Sequence, residues 1–502
     1  MLEGAPAHGN SPDREMAMSL PVRWFRTPTG ILTCCALLLL VLSGCANTVD
    51  GEPVSQLGNA YQVAGLPAVD GPSGLRPNPK PADRAVRGTD DGEMDWLAVN
   101  AVADIEDFWQ EAYPKTFWAT FHPVESLMSW NSESPGVTDF CNNPTIGFDN
   151  AGYCIRQNSL GWDRGALLPR LVRMFGPMAV PMTLAHEYGH AVAHQSEMVD
   201  PHTQTLVGEQ MADCLAGTYL RWVAQGSSPR FTLSTGDGLN KVIAALIAFR
   251  DDPVEAGDAL DAHGSAFERV SAFQRGFVDG AAECTRIDIA EIAKRRGGLP
   301  ENLPPGASGD TPVSIDTLRT LMMVLRAVYT PTGNTAAPRL SVSGAACDEP
   351  GHRTQSAAAV YCPDSNTVAL DLPRLTDLAR PTHDQGQITG DFTAYSMVIS
   401  RYALAIEKQH GLPLDNGQSA LRSACLTGVA SAAMAKPTTP TQEPNPMVLT
   451  AGDLDEAVSG LLTNGVVASD VNGTTIPAGF SRIDAFRDGV AGSADRCLTR
   501  YG

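Results

Sequence analysis

Two neighbouring segments of the chain show the spacing of apolar and polar positions that is typical of helices. The first, MTLAHEYGHAVAHQ from Met182, follows Pro181, which a first helical turn accommodates because an N–H there would lack a partner. The second, LVGEQMADCLAGTYLRWVAQG, starts at Leu206 and ends at Gly226. We therefore predict two consecutive helices within a mainly α fold, of the α+β kind with few strands.

A shorter apolar run, GILTCCALLLLVL, extends from Gly30 to Leu42. Its 13 residues are too few to cross a bilayer as a helix, which takes about 20, but they suit the apolar region of a secretion signal. The run is followed by LSGC, ending at Cys45, and so resembles the lipobox of bacterial lipoproteins, in which the cysteine is lipidated. We predict a signal peptide over residues 1–44 and lipidation of Cys45. A short transmembrane anchor is the alternative.

The next stretch is rich in Gly, Pro and Asp and lacks apolar periodicity. We predict that residues 45–92 comprise the lipidated cysteine and a flexible tether. A second Pro/Gly-rich stretch, residues 297–313, predicts a linker between a domain at 93–296 and another at 314–502. The formal net charge of −20 argues against nucleic-acid binding through a basic face, so no nucleic acid is expected as a partner.

Cysteine spacing divides the chain into two similar sets. Of the 11 cysteines, Cys34 and Cys35 lie in the signal and Cys45 in the lipobox, and an even number remains, which indicates disulfides in an exported chain. The first four have spacings of 13 and 70 residues, and the second four repeat them as 15 and 72. The predicted pairs are Cys141–Cys154, Cys214–Cys284, Cys347–Cys362 and Cys425–Cys497.

Other sequence landmarks also recur after about 210 residues. FERVSAFQRGFVDGAAEC from Phe267 aligns without gaps with FSRIDAFRDGVAGSADRC from Phe480, and CLAG at Cys214 aligns with CLTG at Cys425. A repeat of about 210 residues corresponds to one whole domain rather than to a stack of small repeats. We predict a domain duplicated in tandem. The alternative is chance similarity between Ala-rich helices.

The first copy contains a pattern of metal ligands. His186 and His190 stand four apart and share a helix face, so both imidazoles can bind one ion, and Glu187 can reach a water there without ligating. In the second predicted helix, Glu209 can supply a third ligand, and Asp213 can accept the free ring N–H of a ligating histidine. Three protein ligands leave one position open, as in catalytic zinc sites, and this ligand set suits Zn²⁺ better than calcium or magnesium.

The blocks HEYGHAV, GEQMADCLAG and HGSAFERVSAFQRGF, in this order, resemble a bacterial family of neutral zinc metallopeptidases, and within it the exported lipoprotein peptidases of actinobacteria. The resemblance covers roughly residues 95 to 290 and implies a zincin-like domain. It places the zinc ligands and the catalytic base on residues already named: His186, His190 and Glu209 as ligands and Glu187 as base. Met211, where the family would have Gln, is a departure that does not involve these ligands.

A peptidase also stabilises the oxyanion of a tetrahedral intermediate with a hydrogen-bond donor. His263 is our candidate for this catalytic role, with Tyr188 and Tyr219 as alternatives; the other interpretation of His263 is that it braces the helix starting near Ser265. Arg269 recurs in the second copy, which favours a structural ion pair over catalysis.

The second copy lacks each residue of this chemistry. Alignment on Tyr188 and Tyr402, and on the cysteines, replaces the ligands, base and helper residues as follows: Ser400 for His186, Arg401 for Glu187, Leu404 for His190, Ala420 for Glu209, Ala424 for Asp213 and Ile476 for His263. We therefore predict a degenerate copy that keeps the fold and cannot bind zinc in this way.

The predicted function is zinc-dependent hydrolysis of peptide bonds in a peptide or protein substrate. The enzyme would be exported and held by its lipid at the outer face of the cytoplasmic membrane. The competing interpretation is a non-catalytic lipoprotein, either a scaffold or a binding protein, with a structural zinc ion or with histidines that serve only packing.

Overall fold

The computed structural model describes residues 58–134, 139–251, 262–299, 309–333, 336–347, 357–384, 387–435 and 447–502. The predicted signal, Cys45 and the start of the predicted tether lie outside these ranges. So do residues 300–308, the centre of the predicted linker. The described chain is mainly helical with short strands, which confirms the predicted class.

The first half of the described chain places a small sheet before a group of helices. Its elements are β1 Gln62–Val63, β2 Leu66–Pro67, β3 Gly74–Leu75, β4 Val86–Arg87, α1 Glu93–Phe117, β5 Ser126–Trp130, β6 Asp139–Phe140, β7 Asn143–Pro144, β8 Ala151–Cys154, β9 Ser159–Asp163, α2 Leu167–Phe175, α3 Ala179–Gln195, α4 Thr205–Ala224, β10 Phe231–Thr232, α5 Asp237–Ala248, α6 Ala266–Asp279, α7 Ala281–Cys284 and α8 Ile289–Arg295.

The second half has α9 Ile315–Tyr329, β11 Arg339–Ser341, β12 Ala359–Cys362, β13 Thr367–Leu370, α10 Leu372–Leu378, β14 Thr382–Asp384, β15 Gln387–Thr389, α11 Asp391–Gln409, α12 Gly417–Met434, α13 Asp453–Thr463, α14 Gly479–Ala491 and α15 Ala494–Arg500. Single 3₁₀ turns follow α9 and α13. From α1 and from α9 onward, both halves pass through a strand, a hairpin, a short helix and then a run of longer helices.

The two sheets have matching connectivity. In the first half the strand order is β4-β5-β9-β8, with β4 and β9 parallel to β5 and with β8 antiparallel to β9 at the edge. In the second half the order is β11-β13-β12, again with a parallel pair followed by an antiparallel one. Strand β9 is buried along its whole length because neighbours cover both of its edges and helices pack on the sheet.

The predicted tether is wrong from Gly58 onward. In this segment β1 pairs with β2, β3 pairs antiparallel with β10, and β4 pairs parallel with β5. The guanidinium of Arg221 also donates to the carbonyl of Ala64 at 2.7 Å. The segment lacks apolar periodicity because backbone pairing with strands β10 and β5, rather than an amphipathic face, attaches it to the rest of the fold. Its glycines serve turns, since Gly58, Gly65 and Gly88 have positive φ.

Helix pairs cross closely at glycines in both halves. A Cβ at Gly276 in α6 would lie 1.7 Å from the carbonyl oxygen of Cys214 in α4, and a Cβ at Gly489 in α14 would lie 1.8 Å from that of Cys425 in α12. The opposite helices of the two crossings also approach through glycines, Gly217 and Gly428. Only glycine lets the backbones come this near, so each crossing is specified at the sequence level.

All four predicted disulfides form: Cys141–Cys154, Cys214–Cys284, Cys347–Cys362 and Cys425–Cys497. The first and third of these bonds secure the hairpins, and the second and fourth tie α4 to α7 and α12 to α15. Disulfides of this kind are typical of exported proteins. None of the described helices is both long and apolar enough to span a membrane.

The two halves share one hydrophobic core within a single compact unit, Ser55–Gly502, rather than forming separate domains. The rings of Phe277 and Phe480 lie 4.9 Å apart across the boundary, and the Gln274 side chain donates to the carbonyl of Phe480 at 2.8 Å. Asp455 in α13 accepts the first two N–H groups of α6, from Ala266 and Phe267, at 3.0 and 2.9 Å. A helix of the second half thus caps a helix of the first.

Candidate metal centre

Helices α3 and α4 bring the predicted ligands together because they cross at a small residue. Gly189 in α3 faces Ala212 in α4, where a Cβ would lie 2.9 Å from the Ala212 backbone. His186 and His190 flank this glycine within α3, and Asp213 follows Ala212 within α4. The close crossing therefore directs the polar side chains of both helices to the same point.

The two imidazoles and the Glu209 carboxylate converge. His186 Nε2 lies 3.1 Å from Glu209 Oε2, and His190 Nε2 lies 3.3 Å from Glu209 Oε1. The imidazole rings are nearly perpendicular, with centroids 4.9 Å apart. One ligand atom from each residue falls within 4.8 Å of the others, so this group could hold a metal ion.

Asp213 holds His186 in the orientation that a ligand needs. Its Oδ1 lies 2.7 Å from His186 Nδ1, which leaves Nε2 directed at Glu209. Burial opposes a charge on Asp213, but Arg269 and His186 hold the pKa of this carboxyl below its ordinary value. Because Asp213 stays ionised, it accepts the Nδ1–H and leaves the Nε2 lone pair available for a metal.

Arg269, from α6, forms the ion pair that its recurrence suggested, with a partner that the sequence did not reveal. Its Nε donates to Asp213 Oδ2 at 3.0 Å and its Nη2 donates to Asp213 Oδ1 at 2.9 Å, with both side chains buried. Its Nη1 donates to the carbonyl of Phe249 at 2.6 Å. The recurrence of this arginine suggested an ion pair, but no sequence signal identified Asp213 as its partner.

The donor set fits zinc. Two neutral imidazole nitrogens and one carboxylate oxygen form a common protein ligand set for zinc, whereas calcium and magnesium prefer oxygen donors. The His186 side chain is 8% exposed and that of His190 is 26% exposed, so the group is open on one side only. A fourth position on that side would face solvent in the adjoining cleft.

Glu187 lines the same cleft beside the ligands. Burial raises the pKa of Glu187, and the neighbouring imidazoles of His186 and His190 act in the opposite direction. A carboxylate with a raised pKa is a better proton acceptor than an ordinary one. Glu187 could therefore exchange a proton with a molecule bound in this cleft.

No known protein family matches the chain, and neither does any curated protein or any solved structure. The geometry of the centre is therefore the basis for any functional conclusion. The resemblance to neutral zinc metallopeptidases stays a prediction.

The cleft has a volume of about 510 Å³ and runs between the edge strand β8 and helices α3 and α4. Its floor includes Glu187, His190 and Glu209, and one wall includes Gly152 and Tyr153 of β8. Among the described strands, β8 pairs only with β9, so its outer edge lies along the cleft. An extended segment of another molecule could lie against this edge within reach of the metal group.

The two tyrosine candidates for the oxyanion donor are wrong. The Tyr188 hydroxyl donates to Glu106 at 3.1 Å and accepts from the N–H of Val124, and its ring is buried. The Tyr219 hydroxyl donates to Asp104 at 2.8 Å inside the core. Both hydroxyls satisfy buried carboxylates of α1, which a sequence pattern does not show because the partners lie more than 80 residues away.

His263 remains as a candidate donor. Its charge acts on both Glu187 and Glu209, although His263 is not among the residues that line the cleft. Its Nδ1 lies 3.3 Å from Asp251 Oδ1, and this hydrogen bond raises the pKa of His263. Asp251 also accepts the N–H of Gly264 at 2.7 Å. Asp251 is a further residue that sequence reasoning missed, since it lies in an acid-rich stretch without a motif.

In the second half an arginine occupies the position aligned with Glu187. Arg401, buried, donates to the Ser469 hydroxyl at 2.9 Å and to the carbonyl of Val466 at 3.0 Å. Leu404, Ala420 and Ala424, at the aligned ligand positions, are fully buried and carry no donor atoms. This region is therefore filled by an arginine bound to backbone carbonyls instead of forming a ligand group.

The aligned arginines share one contact and differ in another. Arg482 Nη2 donates to the carbonyl of Leu462, near the end of α13, as Arg269 donates to that of Phe249 after α5. Since Ala424 replaces Asp213, no carboxylate is available to Arg482 at that position. The shared role of this arginine is to bind a helix end, and its ion pair belongs to the first half.

Proposed function

We propose that the chain is a zinc-dependent peptidase. One observation supports this most directly: His186, His190 and Glu209 converge, and His190, Glu209 and Glu187 line an open cleft. Structural zinc sites are usually closed by four protein ligands. Here three residues of the described chain form the group, and its open side faces the cleft.

The residues would divide the work as follows. His186 and His190 would hold the ion through Nε2, and Glu209 would hold it through a carboxylate oxygen. When bound, zinc supplies Lewis acidity that makes a water molecule reactive near neutral pH. Glu187 would take the proton of the attacking water and deliver it to the leaving amine nitrogen. His263, with its raised pKa, would donate to the developing oxyanion.

An extended peptide is the substrate that the cleft favours. A peptide can add to an exposed sheet edge through main-chain hydrogen bonds, and β8 offers such an edge beside Glu187. This mode binds the backbone and so accepts varied sequences. The exposed side chain of Ile155, which follows this strand and lines the cleft, offers apolar contact to substrate side chains.

We further propose that the second half is a degenerate tandem copy of a zincin-like first half. Matching sheet connectivity, paired helix crossings at glycine and aligned disulfides support common descent of the halves. The substitutions cluster where a metal would bind. The remaining role of the second half would be structural, because its helix α13 caps α6, which carries Arg269 of the centre.

The chain would act outside the cytoplasm. The four disulfides support export, and the lipobox at Cys45 is the basis for proposing a lipid anchor at the outer face of the cytoplasmic membrane.

The test is a comparison of Glu187→Gln with the native protein on a mixed peptide library, with zinc content measured in parallel. We expect cleavage that stops with a chelator and returns with zinc. Glu187→Gln should lower kcat by at least about 100-fold and keep its zinc. Glu197→Gln, an exposed acid just after α3, is the matched control and should cleave normally. A zinc-loaded native protein that cleaves no peptide would favour the scaffold instead.

A further inference from the structure

A second group of potential ligands lies in the other half of the molecule, away from the proposed active site. Asp391 begins α11, Glu456 lies in the first turn of α13, and Asp310 precedes α9. One carboxylate oxygen from each lies within 4.8 Å of the others. Asp453, also in the first turn of α13, adds a fourth acid to the neighbourhood.

The surroundings of Asp391 indicate that this group of acids lacks a positively charged or hydrogen-bonding partner. The residue is 7% exposed, and its Oδ2 accepts the N–H of Thr311 at 2.8 Å. Its Oδ1 is buried and has no hydrogen-bond donor among the residues that the structure describes. A buried carboxylate oxygen without a partner is costly, so a native structure rarely leaves one in this state. Since Asp391 belongs to a converging set of oxygens, a cation among them would supply the missing partner.

The neighbouring charges do not supply this partner. Backbone N–H groups satisfy one oxygen of each buried acid: Thr393 donates to Glu456 at 3.1 Å, and Thr450 donates to Asp453. The charges that act most strongly on Asp391, Asp453 and Glu456 are those of other acids in the group.

We propose that Asp310, Asp391 and Glu456 form a calcium site between the first turns of α11 and α13. The donor atoms are all oxygens. Zinc prefers nitrogen and sulfur ligands, so this group suits a hard cation better than it suits zinc. Calcium binds oxygens at about 2.3–2.6 Å, so oxygens on opposite sides of one ion lie about 4.6–5.2 Å apart, which accommodates the observed group. Asp310 is exposed and gives the ion a path from solvent.

The site would join three separate parts of the second half. It would link the segment before α9 to the starts of α11 and α13, and α13 also provides Asp455, the cap of α6. Extracellular calcium sites commonly bind with dissociation constants of about 10⁻⁴–10⁻³ M, and an exported protein would meet calcium in this range. Calcium would therefore stabilise the half that supports the proposed active site.

The test is calorimetric titration of Ca²⁺ into the zinc-loaded protein, together with thermal unfolding in calcium and in a calcium chelator. We expect one calcium ion per chain and a higher melting temperature with calcium. Asp391→Asn and Glu456→Gln should each weaken calcium binding at least 10-fold. Both variants keep side-chain shape and relieve buried charge, so they should fold without calcium and no longer respond to it.

Asp316→Asn is the control, because this acid lies on α9 with its side chain 91% exposed and outside the group. It should bind calcium as the native protein does. The proposal is overturned if the native protein shows neither heat nor a melting shift up to about 10 mM calcium, or if both cluster variants bind calcium unchanged. Peptidase activity plays no part in these readouts, so they remain valid if the proposed function fails.

Discussion

At the scale of single residues, the centre depends on a relay of side chains that begins in α6. Arg269 binds Asp213, Asp213 holds His186 Nδ1, and His186 Nε2 points at Glu209. Arg269, Asp213 and His186 are buried, so the first two links of the relay act with little competition from water. Because of this relay, Arg269 and Asp213 would affect metal binding without contacting the ion.

Asp213→Asn tests this relay. An amide can present its NH₂ group to His186 Nδ1, which would favour the wrong tautomer and leave Arg269 without its ionic partner. We expect zinc affinity to fall by about 10–100-fold while the helix content stays native. Competition with a chromogenic chelator would measure the affinity. Asp200→Asn, an exposed acid near the cleft, should bind zinc normally.

His263 and the two tyrosines give opposite predictions. If His263 donates to the oxyanion, His263→Ala should lower kcat by about 100- to 1000-fold with KM and zinc content nearly unchanged. Tyr188→Phe should instead keep kcat and lower the free energy of unfolding by about 1–3 kcal/mol, because buried Glu106 loses a donor. Equal kcat in His263→Ala and the native protein would rule out this catalytic role.

A pH profile gives an independent measure of His263. Asp251 raises the pKa of His263 above the ordinary value of about 6.5, so the donating imidazolium persists to higher pH and is lost as pH rises through the raised pKa. The alkaline limb of kcat should therefore lie above about 6.5 and move to lower pH in Asp251→Asn. An alkaline limb that does not move in this variant would contradict the role of His263.

At the scale of elements, the glycine crossings organise both helix groups. Because a Cβ at Gly276 would lie 1.7 Å from a carbonyl oxygen, the helices α4 and α6 must separate to accept alanine. The same applies to Gly489 in the second half. The separation in the first half would also move Arg269 relative to Asp213, since these residues lie on the two crossing helices.

We expect Gly276→Ala and Gly489→Ala each to lower the free energy of unfolding by about 3 kcal/mol or more, measured by chemical denaturation. Gly460→Ala is the control, because this helical glycine has open space where a Cβ would lie. It should raise stability by about 0.5–1 kcal/mol, since alanine loses less backbone entropy on folding. Native-like stability of Gly276→Ala would show that the crossing can relax.

Local patterns sufficed for the elements that depend on neighbours in sequence. The helix predicted from Leu206 to Gly226 is α4, Thr205–Ala224, and the helix predicted after Pro181 is α3. The disulfides followed from a repeat that could be read along the chain. The structure also brings His186, His190 and Glu209 together as their spacing predicted.

The elements that failed depend on distant partners. Residues 58–92 read as a tether because their order comes from backbone pairing with strands such as β10, which no local period reveals. The tyrosine hydroxyls, Asp251 and the cap by Asp455 likewise involve contacts that only the folded chain creates. Side chains with local partners were predictable, and side chains with remote partners were not.

At the scale of the whole molecule, the continuous core predicts one cooperative unfolding transition for both halves. All 7 tryptophans precede residue 223, so their fluorescence reports only the first half. We expect the fluorescence midpoint to coincide with that of calorimetry, which reports both halves. Two separated calorimetric transitions, with fluorescence following only one, would show that the halves unfold independently.

Ordered structure that begins no later than Gly58 would limit how far a lipidated protein could work from its bilayer. Between Cys45 and Gly58 the chain has 13 residue steps, which span at most about 45 Å when fully extended. A flexible segment reaching to residue 92 would have allowed a span more than three times as long. An anchored molecule would therefore stay close to the lipid headgroups, and its substrates would be proteins that also stay close to that surface.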